Sequence, residues 1–246
     1  MESKNTLANI RIVLIQTSHP GNIGSAARAM KTMGLSELYL VNPKSFPDEQ
    51  ANMMSSNATD ILDNAVVVDS VQDALTDCCL VVGTSARHER SLAWDILEPR
   101  ACAEQLVKQA QTAKVAVIFG RESSGLTNDE LALCHHLVHI PTNPDYSSLN
   151  LASAVQIVSY EFRLASLMKE DIETSVKDQD EERVTADAME GYYKHLETAM
   201  IEADFLDPEA PKHLMTRLRR LYGRVNLTPS ELNILRGMLS AFQKRK

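Results

Sequence analysis

Side chains that could take part in chemistry are concentrated in four short polar segments. They are NIGSAAR (22–28), GTSAR (83–87), FGRESSGL (119–126) and HIPTNPDYSSLNLA (139–152). Gly21 and Gly24 stand where a helix is expected to begin, so their backbone N–H groups, with Arg28 one turn later, favour binding of an anion such as phosphate. The glycines follow neither the G-x-G-x-x-G nor the GK[ST] pattern, so neither a dinucleotide fingerprint nor a P-loop is indicated.

The segment at 139–152 has the composition of a rigid loop. An apolar stretch at 137–140 runs into Pro141 and Pro144, which cannot continue a strand, and a Ser-Ser pair precedes a helix of apolar periodicity. Ligands bind at loops that follow the carboxyl ends of parallel strands, so this loop is a candidate pocket wall. An ordinary strand-to-helix connection is the alternative interpretation.

Strands and helices alternate along the first two thirds of the chain. Apolar runs predict six strands, at 10–15, 37–43, 65–69, 79–86, 115–120 and 137–140. Helical patterns are found at 22–34, 48–62, 71–78, 99–111, 127–134 and 149–167. Continuous apolar runs such as IRIVLI are typical of strands buried on both faces. The alternation predicts an α/β fold, with helices on both faces of a parallel sheet.

Length and composition restrict the class of protein. With 246 residues, of which 44% are hydrophobic, the chain can bury one large domain, or one domain with a small appendage. No apolar run approaches the roughly 18 residues that a membrane span needs, and the first residues do not resemble a targeting signal. We therefore expect a cytoplasmic protein with no membrane partner.

Cysteine and histidine spacing gives no sign of a metal centre. The four cysteines form no CxxC pair, so we expect reduced thiols. The cluster of Cys134, His135, His136 and His139 lacks a second spaced pair of ligands, and no metal is expected there.

The composition changes after residue 168. Residues 169–190 contain nine acidic and three basic side chains. We interpret residues 169–187 as an acidic linker between a domain of residues 1–168 and a helical domain of residues 188–246. Three helices are expected there, at 188–203, 212–222 and 229–242, and Thr228 with Glu231 predicts a capping box at the start of the last.

The helical domain is basic although the chain is acidic. The net charge is −8, yet the residues after Glu209 include nine basic side chains against one acidic side chain, Glu231. RLRRLYGR (217–224) also offers a tyrosine for stacking on a base. The candidate phosphate contacts are Arg217, Arg219, Arg220 and Arg224. The alternative is a solvated helix face whose side-chain stems cover the core.

Taken together, the segments resemble the motifs of a known family. NIGSAARAMKTMG, VAVIFGRESSGL and IPTNPDYSSLNLA resemble, in order and spacing, the three motifs of the SPOUT RNA methyltransferases, in the TrmH-like branch that methylates ribose 2′-hydroxyls. The likeness covers residues 10–167. RLRRLYGR and SELNILRG resemble the tail of members that methylate nucleotide 32 of the tRNA anticodon loop. The resemblance implies a parallel-sheet SPOUT fold with a C-terminal deep trefoil knot, a small C-terminal all-α domain, S-adenosyl-L-methionine as cofactor and a homodimer.

The roles of residues follow from the resemblance, motif by motif. The implied cofactor contacts are Thr84, Ser85, Ala86, Gly120, Ile140, Ser147, Ser148 and Leu149. The implied catalytic residues are Arg28, Asn22, Ser148 and Asn150. Since a guanidinium does not deprotonate in proteins, Arg28 is expected to clamp a phosphate and stabilise the emerging alkoxide, reaching across into the pocket of a second subunit. Glu122 is either a base or, in the favoured interpretation, a structural hydrogen-bond anchor.

The expected reaction is methyl transfer to the ribose 2′-hydroxyl of cytidine or uridine at position 32 of tRNA, with the basic domain holding the tRNA. An anticodon loop presents splayed nucleotides, and the 2′-hydroxyl distinguishes RNA from DNA. A SPOUT enzyme acting on another tRNA position or on ribosomal RNA is one alternative. A non-catalytic RNA-binding module is another, but Arg28 and the intact cofactor loops argue against it.

Overall fold

Strands of consecutive apolar residues form the centre of the structure. The computed structural model describes residues 6–86, 95–170, 183–210, 213–225 and 227–244. Its strands are β1 (Ile10–Ile15), β2 (Glu37–Val41), β3 (Val66–Val68), β4 (Cys78–Thr84), β5 (Ile96–Leu97), β6 (Lys114–Phe119) and β7 (His136–Val138). They pair in parallel, in the order β3-β2-β1-β6-β4-β7-β5. The predicted parallel α/β fold is confirmed.

Helices cover both faces of this sheet and form the C-terminal part of the chain. After a short 3-10 turn (Thr6–Asn9) they are α1 (Pro20–Met33), α2 (Glu49–Ser55), α3 (Thr59–Asp63), α4 (Val71–Leu75), α5 (Pro99–Gln109), α6 (Asn128–Leu131), α7 (Leu151–Glu170), α8 (Ala186–Glu202), α9 (Leu214–Gly223) and α10 (Pro229–Gln243). Over the described ranges, none of them combines the length and apolar character that crossing a lipid bilayer requires.

Each face of the sheet carries its own apolar cluster. Ile12 and Leu14 of β1 belong to the cluster that α1, α5 and α7 cover, whereas Val13 and Ile15 belong to the cluster on the opposite face, which α4 and α6 cover. Every residue of β1 is buried, because the strand lies in the middle of the sheet. The continuous apolar run in the sequence therefore reflects burial on two faces.

Two elements differ from the sequence predictions. The helix expected at 48–62 is two helices, because α2 stops at Ser55 and the next residue, Ser56, has φ of +54°. Strand β5 was not predicted, since two residues are too few to show periodicity. The expectations for Arg87, for most of the acidic linker and for Lys212 fall outside the described residues.

The first helix packs so closely on α2 that Gly24 has no room for a side chain. A Cβ on Gly24 would lie 2.0 Å from the backbone oxygen of Ala51. Because α1 begins at Pro20, before the predicted start, Gly24 is in its second turn and is buried. The anion-binding role expected for Gly24 is therefore wrong, and its function is helix packing. The predicted helix end at Gly34 is confirmed, with φ of +86°.

A buried arginine holds the amino ends of the strands together. The Arg11 side chain donates hydrogen bonds to the backbone oxygens of Ala74 at 2.7 Å and Thr76 at 2.9 Å. It also forms ion pairs of 2.9 Å with Glu37 and with Asp77. Only 1% of Arg11 is exposed. The cost of burying its charge is offset because two backbone oxygens and two carboxylates accept hydrogen bonds from the guanidinium.

Helices α8, α9 and α10 form a C-terminal helical module with a small apolar cluster of its own. Tyr192, Leu196 and Leu232 are among its buried residues. The predicted capping box of Thr228 and Glu231 is present, and the three predicted helices are confirmed to within two residues at each end. The domain boundaries at 168 and 188 remain a prediction.

The module is attached to the amino-terminal edge of the sheet. The backbone N–H of Asp77, which precedes β4, donates a hydrogen bond to a carboxylate oxygen of Asp187 in α8 over 3.4 Å. The Asp77 side chain is itself an ion-pair partner of Arg11. The attachment therefore lies at the opposite end of the strands from the loops that follow their carboxyl ends.

Replacing Gly24 with alanine tests the packing of α1 on α2. We expect Gly24→Ala to lower the free energy of unfolding by about 1–3 kcal/mol or more, because the backbone of Ala51 must move. Urea denaturation measures the change. The matched control is Gly237→Ala in α10, where a Cβ would meet open space and the higher helix propensity of alanine should add up to about 1 kcal/mol of stability. Equal stabilities for the two variants would contradict the packing argument.

Candidate active site

Four loops meet at the carboxyl edge of the sheet because the strands that lead into them are neighbours. Strands β1, β6, β4 and β7 lie side by side, so the segments that follow them reach the same edge. The segments after β4, β6 and β7 enclose a cavity of about 330 Å³. Its lining contains every residue that the sequence motifs assign to a cofactor, namely Thr84, Ser85, Ala86, Gly120, Ile140, Ser147, Ser148 and Leu149.

Hydrogen bonds to neighbouring strands fix the first wall of this cavity. The Thr84 hydroxyl donates to the Ile118 backbone oxygen over 3.2 Å. The Ser85 N–H donates to the Val138 backbone oxygen over 3.0 Å, and the Ser85 backbone oxygen lies 3.0 Å from Nδ1 of His139. The end of β4 is thereby held on both sides.

The loop after β6 makes a sharp turn that only glycine permits. Arg121 and Gly125 exchange backbone hydrogen bonds of 2.9 and 3.2 Å, and a Cβ on Gly120 would lie 2.2 Å from the carbonyl carbon of Gly125. Arg121 also forms a two-point ion pair with Glu130, with N–O distances of 2.9 and 3.0 Å. Burial would raise the pKa of Glu130, but hydrogen bonds from Arg121 and from the Thr127 N–H lower it. The capping box predicted for Thr127 and Glu130 is confirmed.

Glu122 holds the start of α1 against this loop. Its carboxylate accepts hydrogen bonds from the Ser18 N–H at 3.1 Å, the Ser18 hydroxyl at 3.0 Å and the Asn22 side-chain amide at 3.1 Å. The His19 N–H adds a longer bond of 3.4 Å. Burial alone would raise the pKa of Glu122, but these donors lower it. An ionised carboxylate surrounded by donors suits the anchoring role rather than that of a base.

Ser18 is the partner that the sequence did not reveal. It lies 104 residues before Glu122, and nothing in the residue types or spacing links the two. The only relevant signal is the closeness of Ser18 to a strand end, since loops at that edge of a parallel sheet share one site.

Asn22 and Asn150 continue the chain of hydrogen bonds to the third loop. The Asn150 amide nitrogen donates to the Asn22 side-chain oxygen over 2.9 Å. The Asn150 side-chain oxygen accepts from the Ala152 N–H at 2.9 Å and so caps α7. A continuous path from Glu122 through Asn22 to Asn150 therefore joins the loops after β6, β1 and β7. Both amides are beside the cavity and are not part of its lining.

Arg28 and Ser148 occupy different positions relative to the cavity. Ser148 is exposed and lines it. Arg28 is on an exposed face of α1, within the same helix as Asn22, and does not line it. Within one chain, the guanidinium of Arg28 is thus outside the lining of the cavity. The prediction that Arg28 of one subunit reaches the cavity of another is compatible with this placement and stays a prediction.

Within the Cys134 to His139 cluster, Cys134 and His135 are engaged in hydrogen bonds to the backbone. The Cys134 thiol donates to the Glu130 backbone oxygen over 3.4 Å. Nδ1 of His135 accepts from the Val81 N–H at 3.1 Å, and burial lowers the pKa of His135 to about 4. Across the described ranges, no group of three potential metal ligands converges.

The arginines predicted to bind RNA do not share one environment. Arg217 and Arg224 are exposed. Arg219 instead forms a two-point ion pair with Glu190, with N–O distances of 2.6 and 2.9 Å. Its guanidinium carbon also lies over the Tyr193 ring, 4.4 Å from the ring centroid. Arg219 therefore stabilises the packing of the C-terminal helical module. Its expected role as a phosphate contact competes with this pairing, whereas Arg217 and Arg224 face solvent.

Comparison with known proteins decides the family. Residues 9–160 match the SpoU rRNA Methylase family, and residues 187–246 match the tRNA methyltransferase TrmJ, C-terminal domain family. The chain belongs to the SpoU methylase family. The SPOUT fold expected from the motifs is thereby confirmed, and the trefoil knot remains an expectation from the family likeness.

Curated relatives of this SpoU methylase match over nearly their full length. The tRNA (cytidine/uridine-2′-O-)-methyltransferase TrmJ of Photorhabdus laumondii is 53% identical over 97% of this chain and 98% of its own. The tRNA (cytidine/uridine/adenosine-2′-O-)-methyltransferase TrmJ of Pseudomonas aeruginosa is 52% identical over 97% of this chain and 95% of its own.

Solved structures show the same fold. TrmJ from Z. mobilis ZM4 is 32% identical and covers 95% of this chain and 98% of its own, with a TM-score of 0.82. The SpoU methyltransferase AviRb from Streptomyces viridochromogenes, solved in complex with the cofactor AdoMet, is 24% identical over 64% of this chain and 60% of its own, with a TM-score of 0.51. The second likeness concerns the fold alone.

Replacing Glu122 with glutamine tests the anchoring role. We expect Glu122→Gln to lower methyl transfer at least about tenfold, because an amide nitrogen would face the donors of Ser18 and Asn22. The loss should be the same at every pH tested, since the lowered pKa keeps Glu122 ionised in the wild type. Initial rates as a function of pH measure this. The matched control is Glu104→Gln on an exposed face of α5, and a Glu122 variant as active as that control would refute the anchor.

Proposed function

We propose that this chain transfers a methyl group from S-adenosyl-L-methionine to the ribose 2′-hydroxyl of cytidine or uridine at position 32 of the tRNA anticodon loop. The observation that carries the proposal is the match of both parts of the chain, residues 9–160 and residues 187–246, to families of methyltransferases. The relative from Photorhabdus laumondii supports tRNA cytidine and uridine as substrates by its name. Position 32 rests on the resemblance carried by RLRRLYGR and SELNILRG.

The cavity at the carboxyl edge of the sheet has the chemistry that S-adenosyl-L-methionine requires. Val138, Ile140 and Leu151 give it an apolar surface, and serine hydroxyls lie in the same lining. At Gly120 the wall is bare backbone, since a Cβ there would overlap the loop. The eight residues of the motif assignment would hold the cofactor. When bound, the cofactor supplies an activated methyl group.

The residues of this chain would position the ribose and stabilise the charge that develops on its oxygen. Such a displacement needs an oriented nucleophile and fixed donors around the emerging negative charge. Arg28 would clamp a phosphate and stabilise the alkoxide, while the proton passes to phosphate or water, because a guanidinium stays protonated. Asn22 and Asn150, tied to each other and to Glu122, would keep the loops in register, and Ser148 would contact the ribose.

A homodimer completes this site in our proposal. Arg28 is exposed on α1 and outside the cavity of its own chain. A second copy could bring its own Arg28 to that cavity, and two-fold symmetry would then supply both sites equally.

Methyl transfer to separated RNA classes tests the function. We expect label from methyl-labelled S-adenosyl-L-methionine to enter bulk tRNA and to map to the 2′-oxygen of nucleotide 32. Arg28→Lys should lower the rate of methyl transfer to tRNA about 100-fold, because an ammonium group cannot reproduce the planar set of donors of a guanidinium. Arg100→Lys, which can keep its ion pair with Glu161, is the matched control. Label found only in ribosomal RNA, or at another nucleotide, would overturn the assignment of the substrate.

Neutralising two exposed arginines, Arg217 in α9 and Arg224 directly after it, tests how tRNA is held. The double variant Arg217→Gln, Arg224→Gln should bind tRNA more weakly and show a smaller dependence of affinity on salt, by about one to two units of slope. Its affinity for S-adenosyl-L-methionine should be unchanged. Filter binding across a salt series measures the affinity for tRNA and its dependence on salt. An unaltered salt dependence would show that these arginines do not contact phosphate.

A further inference from the structure

Tyr146 has the most exposed large apolar side chain of the described residues, at 79%. Burial of such a ring typically stabilises a fold, yet the chain leaves it in solvent. Within the described ranges its hydroxyl also forms no hydrogen bond. The ring is thus available as a flat, apolar contact surface.

The loop that carries Tyr146 is held in a defined turn. The Tyr146 N–H donates to the Asn143 backbone oxygen over 3.0 Å, and the Asp145 N–H donates to the Asn143 side-chain oxygen over 3.0 Å. The Thr142 hydroxyl bonds across the turn to the Ser147 backbone oxygen at 3.4 Å. Pro144 restricts the same turn further. A ring on such a loop loses little freedom when a ligand stacks on it.

The position of Tyr146 places its ring at the edge of the reaction site. The next three residues, Ser147, Ser148 and Leu149, line the cofactor cavity, whereas Tyr146 does not. Tyr146 therefore lies outside the cavity lining, two positions before Ser148, which the motifs assign to the ribose. A nucleotide that presents its ribose to this cavity would approach the loop that carries the ring.

We propose that Tyr146 stacks against the base of the nucleotide whose ribose is methylated, and so acts as a positioning residue. This inference rests on the proposed function, because it needs an RNA substrate with a splayed target nucleotide. Unstacked bases in RNA loops are commonly received by aromatic side chains. Stacking of this kind tolerates different bases, because every base has a flat face. The site would thus fix the nucleotide without reading the edge of its base.

A cycle of one protein change and one RNA change tests the contact. The RNA is the tRNA that the wild-type protein methylates, with the target nucleotide either intact or replaced by a ribose without a base. The protein is the full chain as wild type, Tyr146→Phe or Tyr146→Ala. Phe205→Ala, a truncation of another exposed aromatic side chain (70%), is the matched control. The readouts are kcat/KM for tRNA, affinity for S-adenosyl-L-methionine and the oligomeric mass.

We expect Tyr146→Ala to lower kcat/KM about tenfold or more on intact tRNA, and Tyr146→Phe to stay within about twofold of wild type. Removing the base from the target nucleotide should lower kcat/KM by a similar factor for the wild type and for Phe205→Ala. For Tyr146→Ala, the same change in the RNA should lower kcat/KM little further. Cofactor affinity and oligomeric mass should not change.

Three results would overturn the proposal. The first is an unchanged kcat/KM for Tyr146→Ala. The second is a kcat/KM for Tyr146→Ala on tRNA without the base that falls by the product of the two single losses. The third is a loss of kcat/KM accompanied by weaker cofactor binding or a changed oligomeric mass. A wild-type protein that methylates a different RNA would refute the proposed function alone. The cycle would then be carried out at the nucleotide mapped in that RNA.

Discussion

The site depends on one carboxylate that collects donors from a distant part of the chain. Glu122 follows β6, and its partners Ser18, His19 and Asn22 belong to the connection from β1 to α1. These donors surround the amino end of a helix, where partial positive charge already favours an anion. The carboxylate therefore pairs with the N–H of the N-cap residue His19 and with that of Ser18 before it. At the same time it fixes the distance between two loops whose strands are neighbours in the sheet.

Much of the architecture could be predicted because burial leaves a strong trace in sequence. The run IRIVLI at 10–15 predicted a strand buried on both faces, and the structure has this strand in the middle of the sheet. Thr127 and Glu130 predicted the start of a helix, which the structure contains. Strand β5 left no such trace, since its two residues pair only through neighbours brought together by the fold. The hydrogen bond between Ser18 and Glu122 is equally invisible, because it depends on tertiary approach. Residue types and spacing describe local structure well and contacts across the chain poorly.

The residues with two plausible roles show where sequence alone misleads. Gly24 looked like an anion-binding glycine, but the glycine is needed for the close approach of α2. Arg219 looked like its neighbours in a basic run, but Glu190 and the ring of Tyr193 engage it inside the module. At Gly24 the surroundings exclude the role that the residue type suggested, whereas at Arg219 they add a partner that competes with phosphate, and the RNA contact stays a prediction. The cavity-lining residues were predictable for a different reason, since whole motifs specified them together.

The charged cluster around Arg11 has a consequence for how such chains diversify. It secures the strand starts and, through Asp77, meets Asp187 of the helical module. The loops that line the cavity leave the other rim, separated from this junction by the length of the strands. If the helical module holds tRNA as proposed, exchanging it would change the RNA that is bound and leave the cavity loops unaltered. One sheet would then carry two separate functions, one at each end of its strands.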